Sequence, residues 1–312
     1  MQIQNYPEAA GSARSKLETA RIGIIGLGRM GQAFSQLLIR SGARLVVYDR
    51  DSNRVEALAR QGATPASGVQ DLAACEMVLT SLPDDDVVRA VVLSKSGLAS
   101  VLRPGSIHLS TSTIGVAFCR ELDAAHRKLD QCLVATPVLG NPEMAAKREL
   151  FILLGGSPKV IERCRPVIES LGQRSFHVGD EPWLASAMKL AANMLTAATL
   201  QSMGEAFAFL EKVGVPPERA QEILTGSLFD GRVHKAYGQK IVEHRYTPPG
   251  MTAPLAMKDL RLLLAEAEHR NVPMPVASLL HDRLVAVQAR GWSELDWSAL
   301  GLLAAFEAGI PD

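Results

Sequence analysis

The sequence predicts an α/β doubly wound, mostly parallel sheet followed by an all-α domain, and three observations carry that reading. Between residue 21 and about residue 180, short apolar runs alternate with amphipathic helical patterns. Those runs are apolar almost throughout, as strands covered by helices on both faces must be. Beyond about residue 182 the strand signals stop and only helical patterns follow. The 312 residues suffice for two medium domains, and 47% hydrophobic content lets each have a packed core.

Taken in order, the predicted strands are Ile22–Ile25, Arg44–Tyr48, Met77–Ser81, Ser106–Ser110, Cys132–Ala135, Phe151–Leu154 and Phe176–Val178. Helical periodicity falls between them at Gln32–Ser41, Arg54–Gln61, Asp84–Val92, Val116–Leu129 and Lys159–Leu171. The second half opens on a long Ala-rich segment, Trp183–Met203. It continues through Pro217–Thr225, Ala256–His269, Val276–Arg290 and Ser298–Ala308, punctuated by Pro and Gly. The expected organisation is a flexible lead-in over residues 1–20, an α/β domain over 21–181 and a helical domain over 182–312. The lead-in is polar and small, without the apolar centre of a secretory signal.

Charge and cysteine usage exclude several classes. Lys plus Arg balance Asp plus Glu at 33 each, so the basic excess of a nucleic-acid binder is missing. The cysteines Cys75, Cys119, Cys132 and Cys164 are widely spaced, with no C-x-x-C pair. That argues against a metal site or a disulfide framework and fits a reducing cytoplasm. The Trp183–Met203 stretch is long enough to cross a bilayer. Its Ser186, Lys189, Asn193, Thr196, Thr199, Gln201 and Ser202 make a buried core helix the better reading, with no membrane partner.

The first chemistry lies at Gly26-Leu27-Gly28-Arg29-Met30-Gly31, which ends an apolar run and opens an amphipathic helix. Gly26 permits a tight turn, Gly28 lets a pyrophosphate approach the backbone, and Gly31 lets helix and strand pack closely. The free N–H groups of the helix start supply the positive end of a dipole for the phosphates. This is a Rossmann-type dinucleotide site, and a dehydrogenase or reductase is expected. Asp49 follows the second strand, where a ribose-recognising acid belongs. It suits NAD. Arg50 and Arg54 suit the 2′-phosphate of NADP or serve only as solvated surface charges, so the choice between NADP and NAD stays open.

Lys189 and Asn193 stand four apart and share a helix face. A lysine in so apolar a helix is costly unless paired or used, and burial makes an ammonium a better proton donor. Lys189 is therefore a candidate general acid for carbonyl reduction, with Asn193 orienting it or the substrate. The competing reading is a snorkelling lysine at a domain boundary.

Four separated segments then resemble the β-hydroxyacid dehydrogenase family, from about residue 21 to the C-terminus. They are Gly23 through Gly31, His108-Leu109-Ser110-Thr111, Thr136-Pro137-Val138-Leu139-Gly140-Asn141, and Lys189-Leu190-Ala191-Ala192-Asn193; Lys258-Asp259-Leu260 adds a fifth. The Leu171–Phe176 stretch resembles the branch of glyoxylate and succinic semialdehyde reductases. Tartronate semialdehyde reductases and 3-hydroxyisobutyrate dehydrogenases are similar as well. The resemblance implies that Lys189 is the catalytic acid, supported by Asn193. It implies substrate contacts at Ser110, Thr111, Pro137, Val138, Leu139, Gly140, Asn141 and Met251. Cofactor contacts are implied at Gly26 to Gly31, Asp49, Arg50, Arg54, Leu82, Pro83 and Lys258. Plainer roles compete: Ser110 and Thr111 as caps of the next helix, Asp259 as a partner of Arg261, and Lys258 as a solvated lysine.

The departures from the family pattern fall on the substrate side. His108 replaces a common Asp, Leu139 and Asn141 replace Ser and Gly, and Met251 stands in place of an aromatic residue. An imine reductase or a non-catalytic dinucleotide sensor are the alternatives, and retention of Lys189 favours a carbonyl substrate. The apolar surround of the long helix also suggests a homo-oligomer assembled through the helical domain.

Overall fold

The computed structural model describes Leu17 and residues 19–310. Of the expected lead-in, residues 1–16 and 18 lie outside the described residues. Leu17 is buried and packs into the first core cluster, with Ala20 against it. The chain forms two compact units that divide between Lys189 and Leu190.

The first unit runs β1 (Arg21–Ile25), α1 (Arg29–Arg40), β2 (Arg44–Tyr48), α2 (Ser52–Ala59), β3 (Thr64–Pro65), β4 (Met77–Thr80), α3 (Asp85–Val92) and α4 (Leu98–Val101). It continues β5 (Ile107–Ser110), α5 (Val116–Arg127), β6 (Cys132–Ala135), β7 (Val138–Leu139), α6 (Pro142–Ala146), β8 (Phe151–Gly155), α7 (Pro158–Leu171) and β9 (Arg174–Gly179). The sheet order is β3-β2-β1-β4-β5-β6-β8-β7, with β9 also on β8. Strands β1 to β6 pair in parallel, and β8 runs antiparallel to β6 and β7. The order reverses between β1 and β4, and a ligand crevice opens at the carboxyl ends of the strands at such a point.

Strand alternation explains why both faces are covered. Ile22, Ile24, Leu45, Val47 and Leu79 point to the face packed by Phe34, Leu38, Val167 and Leu171. Ile25, Val46 and Val78 point to the opposite face, packed by Val88, Val92, Phe118 and Leu122. Residues buried as fully as Phe34 or Leu38 contribute roughly 1.5–3 kcal/mol each. The doubly wound sheet and the helical second half are both as the sequence predicts. The structure adds β3, β7, α4 and α6, all too short to leave a periodic signal, and one longer helix in the second half, Arg232–Val242.

From Leu190 onward the described residues are helical apart from turns and an isolated bridge between Thr252 and Asp296. The long helix α8 (Pro182–Lys212) starts before the division and runs through it. Then come α9 (Pro217–Thr225), α10 (Arg232–Val242), α11 (Ala253–His269), α12 (Pro275–Ala289) and α13 (Ala299–Glu307). Leu200, Leu260, Leu280, Leu284, Trp297 and Leu303 form the centre of their core. Helices α8 and α13 cross at a glycine pair: a Cβ on Gly204 would stand 2.5 Å from the Gly301 Cα.

Candidate active site

The glycine loop sits at the point where the strand order reverses. Gly26 has φ +90, and a Cβ there would lie 2.4 Å from the Ser81 carbonyl oxygen. A Cβ on Gly31 would lie 1.8 Å from the Gly26 carbonyl oxygen, so only glycine lets α1 start this close to the loop. A Cβ at Gly28 meets nothing within 4 Å. Gly28 is the N-cap of α1, no side chain caps the helix, and its first turn carries no acid. Unsatisfied N–H groups therefore face open space, as a pyrophosphate requires. Leu27 is buried, Met30 packs against the core, and Arg29 is exposed.

Asp49, just after β2, ties this loop down. Its Oδ2 accepts from the Leu27 N–H at 2.6 Å and its Oδ1 from the Asp51 N–H at 2.9 Å. The Arg54 guanidinium lies 3.8 Å from Asp49 and 3.2 Å from Asp51. Arg50 is exposed. Each Asp49 oxygen keeps a lone pair that a ribose hydroxyl can use, and Arg50 stands beside it as a cation for a 2′-phosphate.

Two loops leave the neighbouring strands side by side. After β4, the Leu82 N–H donates to Ser112 Oγ at 2.8 Å, Pro83 is exposed, and Asp84 caps α3 by accepting from the Val87 N–H at 2.8 Å. After β5, the Thr111 N–H and hydroxyl both donate to the Thr80 carbonyl, at 3.0 and 2.8 Å. Ser110 is 1% exposed and its hydroxyl has no hydrogen-bond partner. The capping role weighed for Ser110 and Thr111 is not found. The N-cap of α5 is Gly115, and its N–H goes to the Asp85 carboxylate at 3.0 Å.

The Thr136–Asn141 segment follows β6. The Thr136 N–H donates to the Ser110 carbonyl at 2.7 Å, and the Pro137 carbonyl accepts from Leu153 at 2.9 Å. Val138 and Leu139 form β7 against β8. Gly140 has φ +138. Asn141 Oδ1 accepts from the Met144 N–H at 2.9 Å, capping α6, whose first residue is Pro142. A cap-forming Asn with Pro next in line is a helix-start signal, and it accounts for the residue that departs from the family pattern.

In the second unit, Asn193 Nδ2 donates to Asp259 Oδ2 at 2.5 Å, and both residues are buried. Lys258 Nζ lies 3.0 Å from Asp259 Oδ1. Asp259 thus joins two candidate site residues, a link the sequence reading did not make; it had weighed Arg261 as a plainer partner for Asp259. The signal was its place beside Lys258 in an apolar helix, where a carboxylate needs partners. The Asn193 amide nitrogen therefore faces Asp259. Lys189, one turn before Asn193 on α8, is half-buried, less so than an all-round apolar helix implied. The same helix leaves Met188, Leu195 and Phe209 exposed. Met251 is half-buried, and its carbonyl accepts from the Trp297 N–H at 2.8 Å.

Residues 21–179 match the profile of the NAD-binding domain of 6-phosphogluconate dehydrogenase. Residues 184–303 match that of the NAD-binding domain of NADP-dependent 3-hydroxyisobutyrate dehydrogenase. The chain belongs to the β-hydroxyacid dehydrogenase family. An uncharacterized oxidoreductase of Bacillus subtilis, YfjR, is 36% identical over 90% of this chain and 98% of its own length. The 2-(hydroxymethyl)glutarate dehydrogenase of Eubacterium barkeri is 29% identical over 91% of this chain and 94% of its own. Among solved structures, a Mycobacterium tuberculosis 3-hydroxyisobutyrate dehydrogenase described with L-serine superposes with a TM-score of 0.82. It is 25% identical and covers 91% of this chain and 98% of its own. This β-hydroxyacid dehydrogenase is an NAD(P)-dependent oxidoreductase. Among its described residues no helix is long and apolar enough to cross a membrane, and no cluster of His, Cys, Asp and Glu is placed to hold a metal ion.

Proposed function

We propose that this dehydrogenase reduces a small aldehyde or keto acid, of the semialdehyde or glyoxylate type, to the hydroxy acid, reversibly, with Lys189 as general acid. The carrying observation is Asn193. Its amide is held by Asp259 on the helix face that it shares with Lys189. A fixed amide one turn from an ammonium suits a proton donor that must point at a carbonyl oxygen. When bound, the reduced nicotinamide supplies the hydride. Lys189 donates its proton to the oxygen as negative charge develops, and in the oxidative direction the neutral amine takes that proton back. The buried, unpartnered Ser110 hydroxyl is a donor for the substrate carboxylate, and the Pro137–Asn141 segment offers backbone N–H groups beside it. Met251 shapes the apolar side of the substrate.

The pyrophosphate is assigned to the loop from Gly26 to Gly31, the adenosine ribose to Asp49, Arg50 and Arg54, and the nicotinamide side to Leu82 and Pro83. Lys258 is assigned to the cofactor. The names of the two characterised relatives support the substrate class, because both act on acids with a hydroxymethyl group close to a carboxylate. We further infer a homo-oligomer assembled through the helical unit, acting in the cytoplasm. Among the described residues, 12 of the 15 exposed large hydrophobics lie in Leu190–Asp312, more than scattered surface residues explain.

The experiment is a panel of NADPH and NADH oxidation with glyoxylate, succinic semialdehyde, tartronate semialdehyde and a cyclic imine. Turnover of at least one of the three carbonyl acids in preference to the imine supports the reading. Turnover of the imine alone, or failure of either dinucleotide to bind, overturns it.

A further inference from the structure

A chain of buried hydrogen bonds crosses the first unit and ends where the two site loops begin. Its direction follows from one amide. Gln131 Nε2 donates to the carbonyls of Ala99 and Leu102, each at 2.8 Å, so Oε1 is the acceptor toward His126 Nδ1 at 2.8 Å. His126 therefore carries its proton on Nδ1, and its Nε2 accepts from His108 Nδ1 at 2.9 Å. His108 Nε2 then accepts, and the Thr80 hydroxyl at 2.8 Å donates to it. His108, His126 and Thr80 are each 0% exposed.

Thr80 is the last residue of β4. Its side chain is held by His108, and its carbonyl takes the Thr111 N–H and hydroxyl. The Thr111 hydroxyl has spent its single proton there, so toward a ligand its oxygen can only accept. Two residues beyond Thr80, the Leu82 N–H reaches Ser112 Oγ, and the Ser112 hydroxyl lies 3.5 Å from the Thr80 carbonyl. The loop assigned to the nicotinamide and the loop carrying Ser110 are thus stitched together at one residue. That residue is fixed from behind by an imidazole pair. Among the hydroxyls of Ser110, Thr111 and Ser112, only that of Ser110 lacks a partner, and it is free for the substrate.

We propose that Thr80 is a positioning residue for hydride transfer, and that the Gln131–His126–His108 chain behind it sets the separation of the nicotinamide loop from the Ser110 loop. The proposal rests on the function proposed above. A hydride donor and acceptor must lie within about 3–3.5 Å, and a displacement near 1 Å costs on the order of a hundredfold in rate. A residue that registers the two loops therefore acts on turnover more than on the binding of either ligand.

The test compares Thr80→Val, which keeps the shape and removes the hydroxyl, with Thr80→Ser, which keeps the hydroxyl. In the full-length enzyme, NAD(P)H binding is read by fluorescence, kcat and KM with the carbonyl the parent turns over best, and Tm by melting. The expected result is kcat for Thr80→Val down by about tenfold or more, NAD(P)H affinity within about threefold of the parent, and kcat restored to within about threefold in Thr80→Ser. Thr80→Val with parental kcat overturns the proposal, whatever its Tm. So does a fall in cofactor affinity as large as the fall in kcat, or a Thr80→Ser enzyme as slow as Thr80→Val. If Thr80→Val fails to fold, Thr80→Ser and Thr80→Cys decide: Ser near parental and Cys slow supports, and equal rates overturn. A parent that reduces none of the carbonyl acids overturns the functional reading and this proposal with it, whereas an active parent with an undiminished Thr80→Val overturns this proposal alone.

Discussion

Acidification below the ordinary range of histidine is the perturbation to which the first unit is built to respond. Burial holds His108 well below its usual pKa of 6.5, with His126 adding to the effect, and burial lowers His126 as well. Both are neutral in the folded chain, consistent with the one-way hydrogen-bond chain they form. In the unfolded chain they take up protons as pH falls through about 6.5. Between that pH and their depressed folded values, the unfolded state binds more protons, so stability rises with pH and is lost as pH falls. A histidine that stays neutral in the folded chain while it is protonated in the unfolded one contributes a slope of at most about 1.4 kcal/mol per pH unit, and His108 carries the larger shift. That is an appreciable fraction of the roughly 5–15 kcal/mol that hold a domain folded. The assay is urea denaturation at several pH values between 7.5 and 5, followed by tryptophan fluorescence and circular dichroism, for the parent and His126→Gln. The parent should lose stability steeply below pH 6.5, and His126→Gln should show a shallower slope. A parental stability that is flat over this interval, or a slope unchanged in His126→Gln, would refute the assignment of two neutral buried imidazoles.

Three further outcomes are expected. Gly31→Ala drives a Cβ into the Gly26 carbonyl, so NAD(P)H affinity measured by fluorescence titration should fall by about tenfold or more; parental affinity would show that the loop is not the pyrophosphate site. Asp259→Asn leaves the Asn193 amide facing either a second N–H or a neutral acceptor, and should cost about 1–3 kcal/mol in transition-state stabilisation, read as a fall in kcat/KM of about five- to 150-fold. Unchanged turnover would remove Asp259 from the organisation of the site. Leu195→Asp places a charge on the exposed face of α8 and should shift the mass by light scattering toward the monomer, whereas a parent already monomeric would end the assembly proposal.

Much of this was legible in the sequence because the signals were local. The strands β1, β2, β4, β5 and β6 are apolar runs within a residue of the observed bounds, and Gly26, Gly28 and Gly31 announce their turn by spacing alone. Helix α10 was not predicted from the sequence. In the structure a Cβ on its Gly238 would stand 2.2 Å from Gln221 Oε1 and 2.5 Å from Met203 Cε, the flexible ends of two side chains packed against it. The strand β7 and helix α6 are too short for periodicity to show. The Asn193–Asp259 bond joins residues 66 apart, and His108 meets His126 across a strand and a helix. No spacing rule predicts either pairing, because each depends on how the elements pack. Asn141 carries a local signal, a helix cap directly before Pro142, in a segment that also resembles a substrate loop.

The central claim is that Lys189 donates the proton that completes carbonyl reduction. The most direct measurement is the turnover of Lys189→Ala with the carbonyl acid the parent reduces best, alongside NAD(P)H binding to the same protein. The account predicts cofactor affinity within about threefold of the parent and kcat lower by about a hundredfold or more, as expected when a general acid is removed. Turnover within a few-fold of the parent, with cofactor bound, would contradict it.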